Sequence, residues 1–507
     1  MTTATMGIFH ERDEVEILPS LGAEMSVVGL VGTAANANAG TFPLNVPVYF
    51  NSSDSEKVAA LGSAGWLPDA VRGLTDQIGV GQGAAKIVVV RVAAGLNDAA
   101  TVANILGSAS AKSGAYALLE ASEEFGVTPR VLVAEKTDWT AGQGVRAVTL
   151  ATQGSNMTVA PTIEVAGGGS DPNKVLPTFE AVLGTGGDAD KVVAVNILTP
   201  GAYLTSAPTL TFVGGGSAGG KVLPTATCSI SLLASPVLAG MIGIASQLRG
   251  HIVAQGPASS YASWLAWREA HQSERIIPGV PQLALVQEGE STVNRDFSPR
   301  IAGVIVRRDF ETGGVPSRSA ANQPIQGIVG VSRKVRFALD NPNNEAGDIF
   351  AANGGVVVRG EVGVENGLGS GGFIYWGTDN LSEDPIWQFY NVARMRDYIE
   401  LTQMRVLRGY LGRYNLNSQL VRAVINTMVS HLSTLKADGH VIDFRVGFEG
   451  SQNTAEELRQ GSLTVYFRAE EAPVFRKLTI KSRRYRDALT QMANQISIQL
   501  GSVATVQ

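Results

Sequence analysis

The sequence IWQFYNVARMRDYIELTQMRVLR, residues 386–408, opens the part of the chain that decides its fold. Apolar residues recur in it three or four positions apart, which predicts an amphipathic helix. Residues 417–438 have the same period and begin with Asn417 or Ser418 as the helix cap. In residues 441–468 apolar and polar side chains alternate, as they do along half-buried strands. Because two helices and two strands can bury one core together, this stretch predicts a folded α+β domain.

The first of these helices also carries charged residues with a helical period, on the face opposite to the apolar one. They are Arg394, Asp397, Arg405 and Arg408. An amphipathic helix turns its apolar face to the core and its charged face away from it. We therefore expect these four side chains to point away from the core.

Four short motifs in this part of the chain resemble a known family. Asn391-Val392 lies in a helix that follows an Asp-Pro pair, KADG at 436–439 ends the next helix, NTAEEL occupies 453–458, and GSL at 461–463 opens a strand. Their order and spacing resemble the C-terminal part of contractile tail sheath proteins of bacteriophages and related contractile injection systems. That family usually has Asn-Val-Arg-Arg at the first motif, whereas this chain continues with Ala393-Arg394.

Length and composition are those of a globular protein with several domains. A chain of 507 residues with 44% hydrophobic residues predicts roughly two to four domains. A net charge of -5 gives no general reason to expect nucleic acid as a partner. The single cysteine, Cys228, cannot form an intrachain disulfide and suits a reducing cytoplasm. Since no run of about 18 apolar residues and no signal-peptide pattern occurs, we expect no membrane insertion.

Strands alternate with helices over residues 26–142 and again from 236 to about 370. Continuous apolar runs, such as AKIVVVRV at 85–92, are typical of strands that are covered on both faces. This pattern predicts an α/β domain. The family resemblance covers roughly residues 26–142 and 236–490, and it implies a subtilisin-like α/β fold without a catalytic triad.

The pattern is interrupted by an internal duplication. PTIEVAGGGSDPNKVLPT at 161–178 aligns with PTLTFVGGGSAGGKVLPT at 208–225, 47 residues later, and eleven of the eighteen positions are identical. Both copies are rich in Gly, Pro and Thr and have no helical period, which predicts two small β units. We interpret residues 143–235 as an inserted surface module.

The candidate motifs for catalysis, metal binding or cofactor binding each lack a residue or a position that the corresponding site requires. GVGQGA at 79–84 precedes a strand, whereas a dinucleotide site needs its glycines after one. VGGGSAGGK at 213–221 lacks the Gly-Lys-Ser/Thr ending of a phosphate loop, and GTDNLSED at 377–384 lacks the glycine of a calcium loop. The histidines have no zinc-ligand spacing. They are His10, His251, His271, His431 and His440.

A basic cluster lies near the end of the chain, where residues 475–487 hold six positive charges against one negative. It is either the solvated face of a helix or a docking strip for an acidic partner. In the second interpretation the residues that face an inner tube are Lys481, Arg483, Arg484 and Arg486.

Both ends of the chain show the alternation of a short strand. The candidate residues are Glu14, Val15, Glu16, Ile17 and Leu18 near the start and Ile496, Ile498 and Leu500 near the end. A lone strand leaves its backbone unpaired, so each needs a sheet to join. The resemblance implies that these arms pair with neighbouring subunits.

The predicted organisation combines the α/β and α+β parts. It consists of an N-terminal arm (1–25), a discontinuous α/β sheath domain (26–142 and 236–370), an inserted duplicated β-rich module (143–235), an α+β C-terminal sheath domain (371–493) and a C-terminal arm (494–507).

The resemblance implies a structural protein and not an enzyme. Copies would polymerise as stacked rings around an inner tail tube and contract to drive it through the host cell envelope for genome delivery. The implied partners are further copies, the tube protein, and baseplate and tail terminator proteins, without a cofactor, direct nucleic acid contact or stable membrane insertion. The implied location is a virion tail assembled in the host cytoplasm. The alternatives are the sheath of a phage-derived injection system (tailocin or type VI-like) and an α/β hydrolase or nucleotide-binding enzyme, against which the missing motifs count.

Overall fold

The computed structural model describes residues 22–79, 83–217, 219–359 and 372–503, with residues 501–503 described by their backbone alone. The chain divides into two compact units, Met1–Pro473 and Val474–Gln507. The candidate strand at residues 14–18 lies outside the described residues.

The helices of the described chain are α1 (Ser55–Ala60), α2 (Trp66–Thr75), α3 (Asp98–Leu106), α4 (Ala121–Phe125), α5 (Pro236–Leu248), α6 (Tyr261–Glu269), α7 (Ser298–Glu311), α8 (Glu345–Ala351), α9 (Tyr390–Leu407), α10 (Ser418–Ala437), α11 (Ala455–Arg459) and α12 (Asp487–Val503). Short 3-10 helices occur at Gly114–Glu120, Gly186–Asp188 and Gly450–Gln452.

The strands are β1 (Val28–Thr33), β2 (Pro47–Asn51), β3 (Lys86–Val92), β4 (Val131–Ala134), β5 (Gln143–Thr152), β6 (Thr162–Gly167), β7 (Thr178–Leu183), β8 (Val192–Thr199), β9 (Pro208–Val213), β10 (Thr225–Leu232), β11 (His251–Val253), β12 (Ile276–Ile277), β13 (Ala284–Glu288), β14 (Ser291–Arg295), β15 (Gln323–Ile325), β16 (Gly330–Val331), β17 (Val356–Arg359), β18 (Phe373–Trp376), β19 (Val441–Phe448) and β20 (Val465–Glu471).

The central sheet has six strands in the order β12-β11-β4-β1-β3-β2. They run parallel except β2, which pairs antiparallel with β3 at one edge. Residues 88–90 of β3 are fully buried, because α3, α5 and α6 cover one face of the sheet and α2 and α7 cover the other. Cover on both faces explains why these strands are continuous apolar runs. The mixed α/β character predicted for this part of the chain is confirmed.

The duplicated region forms three antiparallel pairs, β5–β10, β6–β9 and β7–β8. At the 47-residue offset, β5, β6 and β7 of the first repeat correspond to β8, β9 and β10 of the second. The first strand of each repeat therefore pairs with the third strand of the other, and the two middle strands pair together. The expectation of two small β units is wrong, because neither repeat can satisfy its backbone hydrogen bonds without the other.

Equivalent glycines show how closely the two repeats cross. A Cβ atom on Gly169 would lie 1.7 Å from Thr205 Oγ1, and one on Gly216 would lie 1.8 Å from Thr158 Oγ1. Both glycines have positive φ, 92° and 90°. Only glycine suits these two positions, and this accounts for the third glycine of GGGS in both repeats.

The inserted region leaves and rejoins the chain at adjacent points. Gln143, the first residue of β5, is the cross-strand partner of Leu232, the last residue of β10. Partners in an antiparallel pair have Cα atoms about 4.5–5.5 Å apart. The region therefore has the connections of an insertion that a tight turn could replace.

Helices α9 and α10 pack against the two-stranded sheet β19–β20, which confirms the α+β prediction for this stretch. The cap of α10 is Asn417, whose side chain accepts the Leu420 N–H at 2.8 Å. Ala23 and Met25 are buried in the same core. The last residues of the predicted N-terminal arm thus belong to the folded unit.

The second unit, Val474–Gln507, corrects two predictions. Residues 474–485 have no regular secondary structure, so the basic cluster is not a helix face. Ile496, Ile498 and Leu500 lie on α12 and not on a strand. A helix satisfies its own backbone, whereas a lone strand cannot, and an alternation over five residues is too short to outweigh that difference.

Candidate subunit-contact surfaces

The described residues offer little to catalysis. They contain no group of three or more His, Cys, Asp or Glu side chains that could hold a metal ion. Ser317 Oγ lies 2.7 Å from His440 Nδ1. Across the described ranges, however, no carboxylate accepts a hydrogen bond from His440, so this contact does not continue into a triad.

Buried titratable groups serve packing in this fold. Burial lowers the pKa of His431 to about 4, and neither of its ring nitrogens has a hydrogen-bond partner in the described part of the chain. Burial also lowers the pKa of His251 well below its usual value. Asp296 has its pKa raised to about 6 by burial, and it accepts a 2.7 Å hydrogen bond from Trp66 Nε1. The two histidines are therefore neutral at pH 7.

The helices that the structure describes are not membrane spans. None of them is both long enough and apolar enough to cross a bilayer.

The sheet β19–β20 is a candidate contact surface because it stops at two strands. Each strand pairs on one side only among the residues described here. Phe444, Val446 and Phe467 point inward and pack against the helices. Open strand edges present unpaired N–H and C=O groups and are templates for a further strand.

The outer face of this sheet carries charges in rows. The cross-strand partners are Asp443 with Glu470, Arg445 with Arg468, and Gly447 with Tyr466. All four charged side chains are exposed. Like charges thus stand directly opposite each other in two successive rows, an arrangement that destabilises a sheet by itself.

The basic segment of the second unit is a second candidate surface. Its four predicted contact residues, Lys481, Arg483, Arg484 and Arg486, are all exposed. An irregular segment of exposed cations can adapt to an acidic surface, and its attraction is screened over about 8 Å at physiological salt.

Helix α12 presents an apolar stripe at helical spacing. Its members are Leu489, Met492, Ile496 and Leu500, which are between 45% and 63% exposed. Ile498 lies on the opposite side of the helix. Most of the stability of a helix in a protein comes from packing its apolar face, so this stripe is a candidate surface for contact with a partner.

Arg394 is a buried charged residue that its sequence pattern misplaced. It forms an ion pair with Asp309 of α7, with Nη1–Oδ1 at 3.0 Å and Nη2–Oδ2 at 2.6 Å, and both side chains are 1% exposed. Arg394 Nη2 also donates to the Met25 carbonyl at 3.2 Å, and the Ser26 hydroxyl donates to Asp309 at 3.1 Å. This buried cluster, which we call the Arg394 clamp, joins α9, α7 and the start of the described chain.

The expectation that Arg394 and Asp397 point away from the core is wrong. Arg394 is fully buried and Asp397 is 6% exposed. Buried charges of this kind occur where a partner neutralises them, and that partner comes from a distant part of the chain. The signal that could have identified Arg394 is its place in the motif that carried the family resemblance.

Further ion pairs connect α9 with other elements of the first unit. They join Asp397 with Arg275 (2.7 Å), Arg396 with Glu471 (2.6 Å), and Glu400 with Arg249. The Arg396 guanidinium also lies over the rings of Trp387 and Phe467, at 5.2 and 5.5 Å. One helix is thereby tied to the central sheet on one side and to β20 on the other.

Comparison with known proteins identifies relatives over nearly the whole chain. No protein-family model matches the sequence. The tail sheath protein of Escherichia phage P2 is 22% identical over 470 residues, which cover 90% of this chain and 90% of that protein. The major tail sheath protein of Serratia phage KSP20 is 35% identical over 115 residues, 22% of this chain and 28% of that protein. This chain is a homologue of contractile tail sheath proteins.

The fold agrees with solved sheath structures. The PVC sheath complex of an extracellular contractile injection system, in the contracted state, matches with a TM-score of 0.57 at 11% identity, over 96% of this chain and 99% of that one. The helical sheath of the anti-feeding prophage, also contracted, matches with a TM-score of 0.54 at 14% identity, over 95% and 100%. At such identities the match shows the fold of this sheath homologue.

The relatives of this tail sheath homologue are structural proteins, and they indicate no enzyme family. A putative prophage major tail sheath protein of Pseudomonas aeruginosa (strain UCBPP-PA14) is a further relative, 27% identical over 240 residues, 47% of this chain and 58% of that protein.

Proposed function

We propose that this chain is the sheath subunit of a contractile phage tail or of a phage-derived injection machine. Copies polymerise as stacked rings around an inner tube, and their rearrangement on contraction drives the tube through a cell envelope for delivery of the genome. The observation that carries this proposal is the similarity to the phage P2 tail sheath protein over 90% of both chains. The likeness to two contracted injection-system sheaths favours the injection machine as well as the phage tail.

We also propose the finer organisation of the subunit. The six-stranded, mostly parallel sheet with helices on both faces is the subtilisin-like sheath domain, without a triad, and the segment from residue 371 to 493 is the C-terminal sheath domain. The duplicated module at 143–235 stands on the outer surface of the sheath, because an addition on the inner side would collide with the tube. Its adjacent ends, Gln143 and Leu232, support this view of an insertion.

The proposed partners are further copies of the chain, the tube protein, and baseplate and terminator proteins. Assembly takes place in the host cytoplasm, and the product is part of the virion tail. Lys481, Arg483, Arg484 and Arg486 form the strip that faces the tube. A screened contact between exposed charges is weak enough to be released when the sheath contracts.

Subunits are joined by strand addition at the sheet β19–β20. Residues 14–18 of one copy add to the open edge in another, since their alternation of Glu with Val or Ile suits a sheet with one apolar and one polar face. About five ladder bonds, each worth about 0.5–1.5 kcal/mol net, contribute only a few kcal/mol per joint. Many joints held at once make the lattice stable through avidity.

The C-terminal unit makes a second joint, from a helix. Ile496 and Leu500 belong to the apolar stripe of α12, whose side chains are exposed in the single chain and would be buried against a neighbouring copy. This replaces the strand predicted for this end.

Electron microscopy of the purified chain, alone and with its tube protein, tests the proposal. We expect tubular polymers with a helical repeat. A variant without residues 1–19 should remain a folded monomer with unchanged thermal unfolding and form no sheath, whereas a variant without residues 1–8, which keeps the alternating segment, should assemble. Absence of any helical polymer from the intact chain would overturn the function. Full-length polymers of the 1–19 deletion would overturn strand addition.

A further inference from the structure

The end of α9 and the turn that follows it carry an exposed surface of apolar and basic side chains. Leu411 is 79% exposed, Met404 50% and Tyr414 44%. Arg408 and Arg413 are also exposed, and neither forms an ion pair with any residue that the structure describes. We call these five residues the Leu411 patch. No Asp or Glu occurs from residue 401 to residue 437, so this stretch of the chain offers the arginines no counter-charge. Met, Tyr and Arg are residue types that protein interfaces favour.

The Leu411 patch is held in place by Tyr410. This residue is 4% exposed, and its hydroxyl oxygen lies 2.9 Å from Thr427 Oγ1 of α10. Its ring packs against the ring of Tyr414, with 6.0 Å between the centroids. Gly412 supplies the positive φ, 67°, of the turn. A surface that is ordered before it binds loses less conformational entropy on binding.

The loop before α9 carries a surface of the opposite charge. Ile386 is 73% exposed, and Glu383 and Asp384 beside it are exposed as well. We call these three residues the Ile386 patch. Within the described ranges neither carboxylate forms an ion pair, since the nearby Arg268 donates to the Ala352 carbonyl at 2.8 Å instead. Asp384 Oδ1 accepts the Ile386 N–H at 2.9 Å, which fixes the shape of the loop.

The two patches lie at opposite ends of α9. The Ile386 patch precedes Tyr390, the first residue of the helix, and the Leu411 patch begins at Met404 in its last turn. A helix of 18 residues is about 27 Å long, so the patches of one copy are too far apart to meet each other. Two copies can bring them together. A contact between two different surfaces is head-to-tail, and repeated head-to-tail contacts build rings or helical polymers.

We infer that the Leu411 patch of one copy docks against the Ile386 patch of a second copy, with the arginines of the first opposite the carboxylates of the second. This inference rests on the proposed function, and it adds a head-to-tail contact to the joints proposed there. Leu411 and Ile386 supply the apolar part of the contact. The charges determine which surfaces meet, because like charges facing each other would repel.

The first test reverses the charge of each patch separately. One variant is Arg408→Glu/Arg413→Glu. The other is Glu383→Arg/Asp384→Asn, in which the asparagine oxygen can still accept the Ile386 N–H. Each variant alone should raise the protein concentration at which sheaths appear by about tenfold or more, because like charges then meet at every contact of the polymer.

An equimolar mixture of the two charge variants tests whether the patches face each other. When the two variants alternate in a head-to-tail polymer, the altered patch of one meets the altered patch of the other, and the unaltered patches meet as well. Every contact then joins opposite charges. The mixture should therefore assemble within about threefold of the concentration that the unmodified chain requires.

Arg422→Glu/Arg459→Glu is the matched control, because it makes the same change of charge on exposed arginines outside both patches. It should assemble like the unmodified chain. Leu411→Ser removes the apolar part of the contact and leaves every charge in place, so it should also raise the concentration needed for assembly. Circular dichroism of each variant checks that the monomer is folded.

The outcomes separate the inference from the proposed function. If the unmodified chain forms no helical polymer, the proposed function is wrong and the inference falls with it. If the unmodified chain assembles, and the charge variants assemble equally well or their mixture does not restore assembly, the function stands and the inference is overturned. An effect of Arg408→Glu/Arg413→Glu that requires the tube protein would assign the Leu411 patch to the tube, which also overturns the inference.

Discussion

Replacing Arg394 by methionine should destabilise the subunit by about 4 kcal/mol, because breaking a buried ion pair leaves an uncompensated charge and typically costs about 3–5 kcal/mol. The variant removes three hydrogen bonds, two to Asp309 and one to the Met25 carbonyl. It leaves the Asp309 carboxylate buried, with the Ser26 hydroxyl as the one remaining donor among the described residues. Such a loss is a large share of the about 5–15 kcal/mol that stabilises a typical domain.

Urea unfolding followed by circular dichroism measures this loss as a lower transition midpoint. A double-mutant cycle supplies the control. Asp309→Leu alone leaves Arg394 buried without its partner and should cost a similar amount. The double variant Arg394→Met/Asp309→Leu contains no buried charge at the clamp, so it should be more stable than either single variant. If the double variant loses the sum of the two single losses, the clamp is not an interacting pair and the reasoning is refuted.

Three further predictions concern other parts of the chain. Replacing residues 144–231 by a two-residue Gly/Ser turn should leave a soluble protein that still polymerises, because the ends of the module are cross-strand partners. Reversing charge at Lys481 and Arg484 should weaken assembly around tubes, more so at low salt, and leave the monomer folded, since both side chains are exposed. The unfolding free energy should fall by up to about 3 kcal/mol between pH 7 and pH 4 through His431 alone, because the unfolded histidine binds a proton near pH 6.5 and the folded one only near pH 4.

Each of these has a control in the same chain. Removing one repeat, residues 144–190, must prevent folding of the module, because its strands pair only with the other repeat; a stable product would contradict the intertwined topology. Charge reversal at exposed Arg422 and Arg459 should leave tube assembly unchanged, and an equal effect would remove the assignment of the basic strip. His431→Gln should flatten the fall of stability in acid; an unchanged pH profile would show that His431 does not cause it.

The sequence by itself determined the features that depend on local pattern or on identity between segments. The helical period of α9 and α10, the alternation of β19 and β20, and the continuous apolar strand β3 all follow from which neighbours along the chain share a face. The 47-residue duplication is visible as identity alone. The motifs around Asn391 were sufficient to suggest the sheath family, which the comparison with the phage P2 protein then supported.

Only the tertiary structure decided where non-local partners lie. The pairing of β5 with β10 across the duplication could not be deduced from two repeats that look self-sufficient. The burial of Arg394 depends on Asp309, 85 residues away, whose carboxylate neutralises the buried guanidinium. Ile496 and Leu500 fit a strand pattern and a helix pattern equally well. They form a helix because a helix satisfies its backbone hydrogen bonds within its own segment. A pattern along the sequence indicates whether a side chain favours the core or the surface. The free energy of burying that side chain, however, depends on which distant residues the fold packs against it.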